Sequence, residues 1–476
     1  MVKKKFYITT AIPYVNAKPH IGHALEFVQA DVMAKFHRLL NEDVLLLSGA
    51  DENALKNIQA AEKAGVPVQE FIDQNAELFK NLADKLNIHF DVFQKGSDQK
   101  KHFLSSQLLW NLCFKNGDIY KKKYTGLYCV GCETFYASDE LNKKGECFEH
   151  PGKKLEEVSE ENYFFKLSKY QKQIIELIST DKLKIVPDFR KKEILSFLNK
   201  LLLDISISRT NERAKNWGVP VPNDPSQRIY VWFDALNIYQ SGIGFGWDEK
   251  IYKKWWPVDI HVIGKGITRF HAIYWPAFLL SAKLPLPKAL FVHGYLTVEG
   301  QKMSKTIGNV IDPLELIEKY GVDAIRYYLL REIPPYDDGD FSHSRMKEVY
   351  DSDLANELGN LISRLTNLAE KDKLRNSNKT IKQYNNLTIA SFDSFQFNKI
   401  LENIWLEIKD LNKSIDDFAP WSKKPAERKD FLLQSINRLK QIGFELRPFI
   451  PATAEKILQA TQGKIKKSEP LFPRLT

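Results

Sequence analysis

Apolar residues recur along this chain in two rhythms. Near the N-terminus, short continuous apolar runs alternate with longer amphipathic stretches. Residues 6–10 form a β-prone run closed by a Pro/Asn/Lys-rich turn, which predicts a buried strand. From Pro19 onward the spacing is helical, with the proline suited to a first turn. Residues 44–48 form the next apolar run, and strand, helix, strand in this order predicts a parallel, doubly wound α/β (Rossmann-type) sheet. The rhythm breaks between about 118 and 224, where β-like pieces, Gly-Cys turns and Lys-Lys pairs read as an insertion. Strand–helix patterning resumes near Ile229, with further strands expected at 259–263 and 290–293. After about residue 350 the pattern is helical almost throughout. Leu354, Leu358, Leu361, Leu365 and Leu368 recur at three- and four-residue steps, as do Leu401, Ile404, Ile408, Leu411 and Ile415. That predicts a C-terminal helix bundle, in which 371–380 is the most loop-like stretch. The expected segments are thus 1–117 and 225–310 as halves of the sheet domain, 118–224 as its insertion, 311–349 as a junction and 350–476 as the bundle.

Length and composition narrow this picture little. A chain of 476 residues exceeds one compact core, and its 43% hydrophobic content supplies several. The net charge of +9 suits a polyanion such as RNA, and suits a merely basic enzyme equally well. Lys3, Lys4 and Lys5 open no signal peptide, because Pro13, Asn16, Lys18 and His20 break up the apolar stretch that one requires. The apolar runs at 44–47 and 277–280 fall far short of the ~18 residues of a membrane span. A cytoplasmic protein with no membrane partner is expected.

Three of the four cysteines lie close together, which points to metal rather than disulfides. Cys129-Val130-Gly131-Cys132 and Cys147-Phe148-Glu149-His150 are two Cys-x-x-ligand turns. Their spacing predicts one tetrahedral zinc held by Cys129, Cys132, Cys147 and His150. Four protein ligands leave no open position, so that zinc is structural. Cys113 sits in an apolar helical context as a bystander.

Two further motifs carry phosphate chemistry. Pro19-His20-Ile21-Gly22-His23 falls where the first strand hands over to the first helix, and backbone N–H groups at a helix start favour phosphate. His20 and His23 share one helix face, and Gly22 allows a flat base close to the backbone. Two ordinary histidines in a first turn would read the same. Lys302-Met303-Ser304-Lys305-Thr306, between Gly300 and Gly308, makes a cationic loop able to fold over a triphosphate; alone it would equally be a solvated turn.

Together, the His-x-Gly-His and Lys-Met-Ser-Lys motifs resemble those of class I aminoacyl-tRNA synthetases, which would set them beside the crevice at the carboxyl ends of the strands. Nearly the whole chain is similar to the methionyl members. Thr10–Tyr14, 231–235 (Val-Trp-Phe-Asp-Ala) and 270–275 (Phe-His-Ala-Ile-Tyr-Trp) resemble that family's pocket segments. The resemblance implies that Ala11, Ile12, Tyr14, Trp232, Ala235, Tyr239, Ile267, Phe270, His271 and Trp275 line a methionine site, with Asp51 on the α-ammonium. An aromatic lining suits a polarizable thioether, and Tyr14 and His271 offer polar contacts to sulfur. It implies ATP with Mg²⁺ on His20, Gly22, His23, Glu26, Gly264, Lys302, Ser304 and Lys305, of which His20, His23, Lys302 and Lys305 are catalytic. Asn360, Arg364 and Trp421 match anticodon-reading positions for tRNA(Met). The sequence departs from the family at Asn53-Ala54, where His-Gly is usual, and at Gly266, where an aspartate is usual.

The activity so implied is methionine activation by ATP, followed by transfer to the 3′ ribose of tRNA, by a monomer. The rivals are another class I synthetase and a non-catalytic zinc-bearing RNA-binding protein on the same scaffold. The chain has no room for the editing insertion that small apolar substrates demand, and intact histidines and lysines argue against loss of catalysis.

Overall fold

The computed structural model of the chain describes residues 3–129, 134–136, 141–147, 152–303, 308–377, 384 and 386–475. Two compact units result, each assembled from separate stretches. One comprises Met1–Pro19, Leu40–Ala83 and His89–His293; the other comprises His20–Leu39, Asp84–Ile88 and Gly294–Thr476.

The first unit is built on six strands: β1 (Lys5–Thr9), β2 (Asp43–Ala50), β3 (Val92–Lys95), β4 (Lys184–Val186), β5 (Ile260–Gly264) and β6 (Ala289–His293). Their order is β3-β2-β1-β5-β6-β4, and every pairing is parallel. Both faces of such a sheet are covered, so the central strands are continuous apolar runs. Tyr7, Ile8, Leu46, Leu47, Val262, Ile263, Phe291 and Val292 are accordingly fully buried. The order reverses direction between β1 and β5, and a doubly wound sheet opens its binding crevice at such a switch. The doubly wound sheet and the helical C-terminal region are as the sequence pattern predicts.

One strand departs from that reading. β4 lies inside the 118–224 span, yet it forms an edge of the central sheet, with Leu290 paired to Ile185. The rest of the span includes a long antiparallel ribbon. Ile119–Cys129 pairs with Glu156–Phe165, and Thr134–Tyr136 continues the sheet beside Cys129.

The second unit gathers α1 (Ile21–Leu39) with the C-terminal helices α2 (Val322–Arg331), α3 (Asn360–Lys371), α4 (Phe397–Phe418), α5 (Pro425–Leu446) and α6 (Pro451–Ala460). The first leucine series runs through a π-helical stretch, Tyr350–Gly359, into α3; the second lines α4. A buried charge cluster holds α1. Arg326 on α2 is fully buried and pairs with Asp31 on α1 at 2.8 Å. The same guanidinium donates to the carbonyls of Leu86, Pro448 and Phe449, so with Asp31 four of its five N–H groups have protein partners. Lys35 adds a second cation on Asp31, at 2.5 Å. No described helix is long and apolar enough to cross a membrane.

Candidate active site

In the first unit, the residues expected to bind methionine follow the carboxyl ends of β1, β2 and β5 or lie on the short helices 231–236 and 238–241. Tyr14 makes an isolated parallel bridge with Asp51, whose N–H donates to the carbonyl of Pro13 at 2.9 Å. This fixes the loop carrying Ala11 and Ile12 beside buried Asp51. Trp232 stacks flat on Phe270, with ring centroids 3.7 Å apart and planes 2° from parallel, and Tyr14 meets Trp232 edge-on. Ala235 is buried one turn along from Trp232. Tyr239 lies beside Trp275, with ring centroids 6.5 Å apart. The indole N–H groups of Trp232 and Trp275 are buried without a hydrogen-bond partner, a pattern that suits a wall completed by a ligand.

The expectation that His271 offers a polar contact to sulfur meets a constraint. Its Nδ1 lies 3.0 Å from the Ile267 carbonyl and its Nε2 2.8 Å from the Tyr239 hydroxyl. A carbonyl only accepts, so Nδ1 carries the proton and Nε2 accepts from Tyr239. Both nitrogens are thereby committed, and His271 offers a ligand its ring carbons. Burial pushes its pKa down to about 4, against a small opposing effect of the Ile267 carbonyl. Behind it, His261 is buried, accepts or donates at Thr9 Oγ1 over 2.7 Å, and titrates well below the usual histidine range, chiefly through desolvation.

Sequence reasoning overlooked the support beneath this wall. Asp234, buried between Trp232 and Ala235 in sequence, has Oδ1 2.6 Å from His102 Nε2 and accepts from Ser106 at 2.8 Å. Its Oδ2 accepts from Asn53 Nδ2 at 2.6 Å. Positions 53, 102 and 234 carry no shared spacing, so only the fold reveals their meeting. Gly264 ends β5, and Gly266 follows in a 3₁₀ turn at 265–267.

In the second unit, Met303, in the described part of the lysine motif, approaches the histidine motif. Gly22 is closely covered: a Cβ there would lie 3.0 Å from the His20 ring, which would have to give way, and 3.6 Å from Met303 Cε. The N–H of Ile21 donates to the Ile311 carbonyl, which straps the chain beyond the lysine motif to the start of α1. His20 Nδ1 accepts from the Gly22 N–H and His23 Nδ1 from the His20 N–H, both at 3.1 Å. With Nδ1 accepting, a neutral ring carries its proton on Nε2. Both histidines therefore present N–H donors, as phosphate oxygens require. Desolvation, and then the charge of His20, holds the pKa of His23 well below the usual range. Glu26 is buried one turn on, and Lys302 is exposed on the short strand Gln301–Lys302. Ser304 and Lys305 lie outside the described residues.

Two of the four expected zinc ligands, Cys132 and His150, also lie outside the described residues. The other two, Cys129 and Cys147, are buried with sulfurs 3.3 Å apart in a small cluster with Tyr136. Thiolates sharing a tetrahedral zinc with ~2.3 Å bonds sit about 3.8 Å apart, so the pair fits such a donor set after a small adjustment. At the bundle, the Arg364 guanidinium lies 5.5 Å from the centre of the Trp421 ring, which is 54% exposed. Asn360 is exposed one turn before Arg364 on α3.

Comparison with known proteins gives one answer. Residues 6–366 match the model of the class I (M) tRNA synthetases. A methionine–tRNA ligase from Thermotoga maritima is 42% identical over 98% of this chain and 76% of its own length. One from Brucella melitensis is 40% identical over 96% and 92%. The solved methionyl-tRNA synthetase of Mycobacterium tuberculosis, in complex with methionyl-adenylate, superposes with a TM-score of 0.91 at 36% identity, covering 99% of this chain and all of that one. With a parallel sheet, paired phosphate motifs and an aromatic wall in the positions just described, the chain belongs to the methionine–tRNA ligase family of class I aminoacyl-tRNA synthetases.

Proposed function

We propose that this chain activates L-methionine with ATP and transfers it to the 3′-terminal ribose of tRNA(Met). In the first step a methionine carboxylate oxygen bonds to the α-phosphorus. The bond to the bridging β-phosphate oxygen breaks, and pyrophosphate leaves. The nucleophile is already an anion, so positioning and charge neutralisation carry the step rather than a general base. Asp51 takes the α-ammonium, and the Trp232–Phe270 stack with Tyr14, Tyr239, His271 and Trp275 takes the thioether. The Nε2–H groups of His20 and His23, with Lys302 and Lys305, take the phosphates, which enter with Mg²⁺. In the second step the ribose 2′-hydroxyl attacks the carbonyl carbon of the mixed anhydride, and AMP departs with release of the hydroxyl proton. Cys129, Cys132, Cys147 and His150 would hold one zinc ion, whose chemistry is to cross-link the ribbon. Asn360, Arg364 and Trp421 read the anticodon, the exposed indole stacking on an unpaired base.

The observation that carries this reading is the aromatic wall, which joins segments 11–14, 232–239 and 267–275 in one cluster. Amino-acid-dependent exchange of pyrophosphate into ATP tests it, with methionine set against leucine, isoleucine, valine and cysteine. Exchange with methionine alone is expected. Preference for another amino acid would move the specificity and leave the class. Exchange with none would favour an RNA-binding role without catalysis.

A further inference from the structure

The loop after β2 reads Asp51-Glu52-Asn53-Ala54, and its asparagine is one of the chain's departures from the family pattern. Its side-chain nitrogen has two hydrogens and uses both. One goes to the Gly96 carbonyl at 2.8 Å, in the turn after β3. The other goes to Asp234 Oδ2 at 2.6 Å, on the helix that carries Trp232 and Ala235. The turn at Gly96 is closed tightly on this loop, since a Cβ there would lie 3.1 Å from the Ala50 carbonyl and 3.2 Å from the Glu52 nitrogen. Two residues before Asn53, Asp51 is tied to Tyr14. One amide thus links the segment bearing Asp51 to the helix bearing Trp232, and both belong to the proposed methionine site. Glu52 points the other way, into Ser97, whose N–H and hydroxyl it accepts, so it does not share this task.

Side-chain chemistry limits what else would serve. Alanine leaves Asp234 short of one donor and the Gly96 carbonyl unmet, both in buried surroundings. Aspartate sets a second carboxylate against Asp234. A neutral imidazole has a single N–H and meets only one of the two acceptors.

We infer that Asn53 is a positioning residue for methionine: it fixes the Trp232–Ala235 helix against the Asp51 loop through Asp234 and Gly96, and so sets the width of the amino-acid site without touching the nucleotide. The inference rests on the function proposed above. The test measures KM for methionine and for ATP separately in pyrophosphate exchange, using full-length parent, Asn53→Ala, Asn53→His and Asn53→Asp proteins. Thermal unfolding and equilibrium quenching of tryptophan fluorescence by methionine accompany it. Loss of a hydrogen bond to a buried carboxylate is expected to raise the methionine KM of Asn53→Ala about tenfold. ATP KM should stay within about twofold. Asn53→His keeps one of the two bonds and is expected near threefold, which holds the test open if the alanine protein fails to fold. Asn53→Asp should be the weakest methionine binder. An unchanged methionine KM and quenching midpoint in folded Asn53→Ala or Asn53→His, or a rise in ATP KM instead, would overturn the inference and leave the proposed function standing. A parent protein without methionine-dependent exchange would overturn both.

Discussion

His271 shows how a single buried side chain can set a pH limit. Its neutral form fits a carbonyl on one nitrogen and a hydroxyl donor on the other; a second proton would face the tyrosine hydrogen. The folded pKa of about 4 lies below the ordinary 6.5, so the unfolded chain binds more protons between those values. The stabilisation is therefore complete above pH 6.5 and is lost as pH falls from there to about 4, by on the order of 3 kcal/mol. Replacing His271 by Asn should flatten the fall of unfolding temperature across that window relative to the parent, and an identical slope in both proteins would contradict the assignment. At this scale the sequence exposes some residues and hides others. His20 and His23 are legible because a helix face brings together residues at short, fixed spacing. Asp234, His102 and Asn53 are not, because burial of a polar group leaves no period in the chain, and their partnership exists only once β2, β3 and the 231–236 helix have been brought together.

Whole elements divide in the same way. β1, β2, β5 and β6 are legible as continuous apolar runs, since each is buried on both faces. β3 and β4 are edge strands of four and three residues, Val-Phe-Gln-Lys and Lys-Ile-Val, too short to display any period. The leucine series of α3 and α4 give those helices away, but not the π-helical turn before α3, where the ladder slips by one residue. Helix α1 reads as an ordinary amphipathic helix from its sequence, yet it is buried on nearly every side and carries the Asp31 carboxylate into that interior. Removing the positive partner leaves that carboxylate with Lys35 alone. Arg326→Met is expected to destabilise the unit by about 3–5 kcal/mol, the usual cost of breaking a buried pair. Denaturant unfolding of full-length protein checks this, and a loss below about 1 kcal/mol would mean that Lys35 and the solvent suffice.

At the scale of the molecule, the two chemical steps separate the tasks of the parts. Adenylate formation needs no RNA, so it should ignore the residues proposed to read the anticodon, whereas transfer should not. Trp421→Ala is expected to leave methionine-dependent pyrophosphate exchange unchanged and to lower the efficiency of tRNA charging about ten- to a hundredfold, the weight of a lost base stack. Arg364→Ala should behave alike. Equal loss in both assays would show instead that the Arg364–Trp421 contact supports the fold of the bundle.

The cage around Asp31 also bears on how the protein is made. A ribosome delivers Asp31 roughly three hundred residues before Arg326, and the Pro448 and Phe449 carbonyls later still. At about 5–20 residues per second, helix α1 spends about 15–60 s or more in the nascent chain without the groups that complete its surroundings. Throughout that time Asp31 lacks its buried arginine partner. The strap from the Ile21 N–H to the Ile311 carbonyl likewise waits on residue 311, so the first motif to be translated gains its frame long after it has been made.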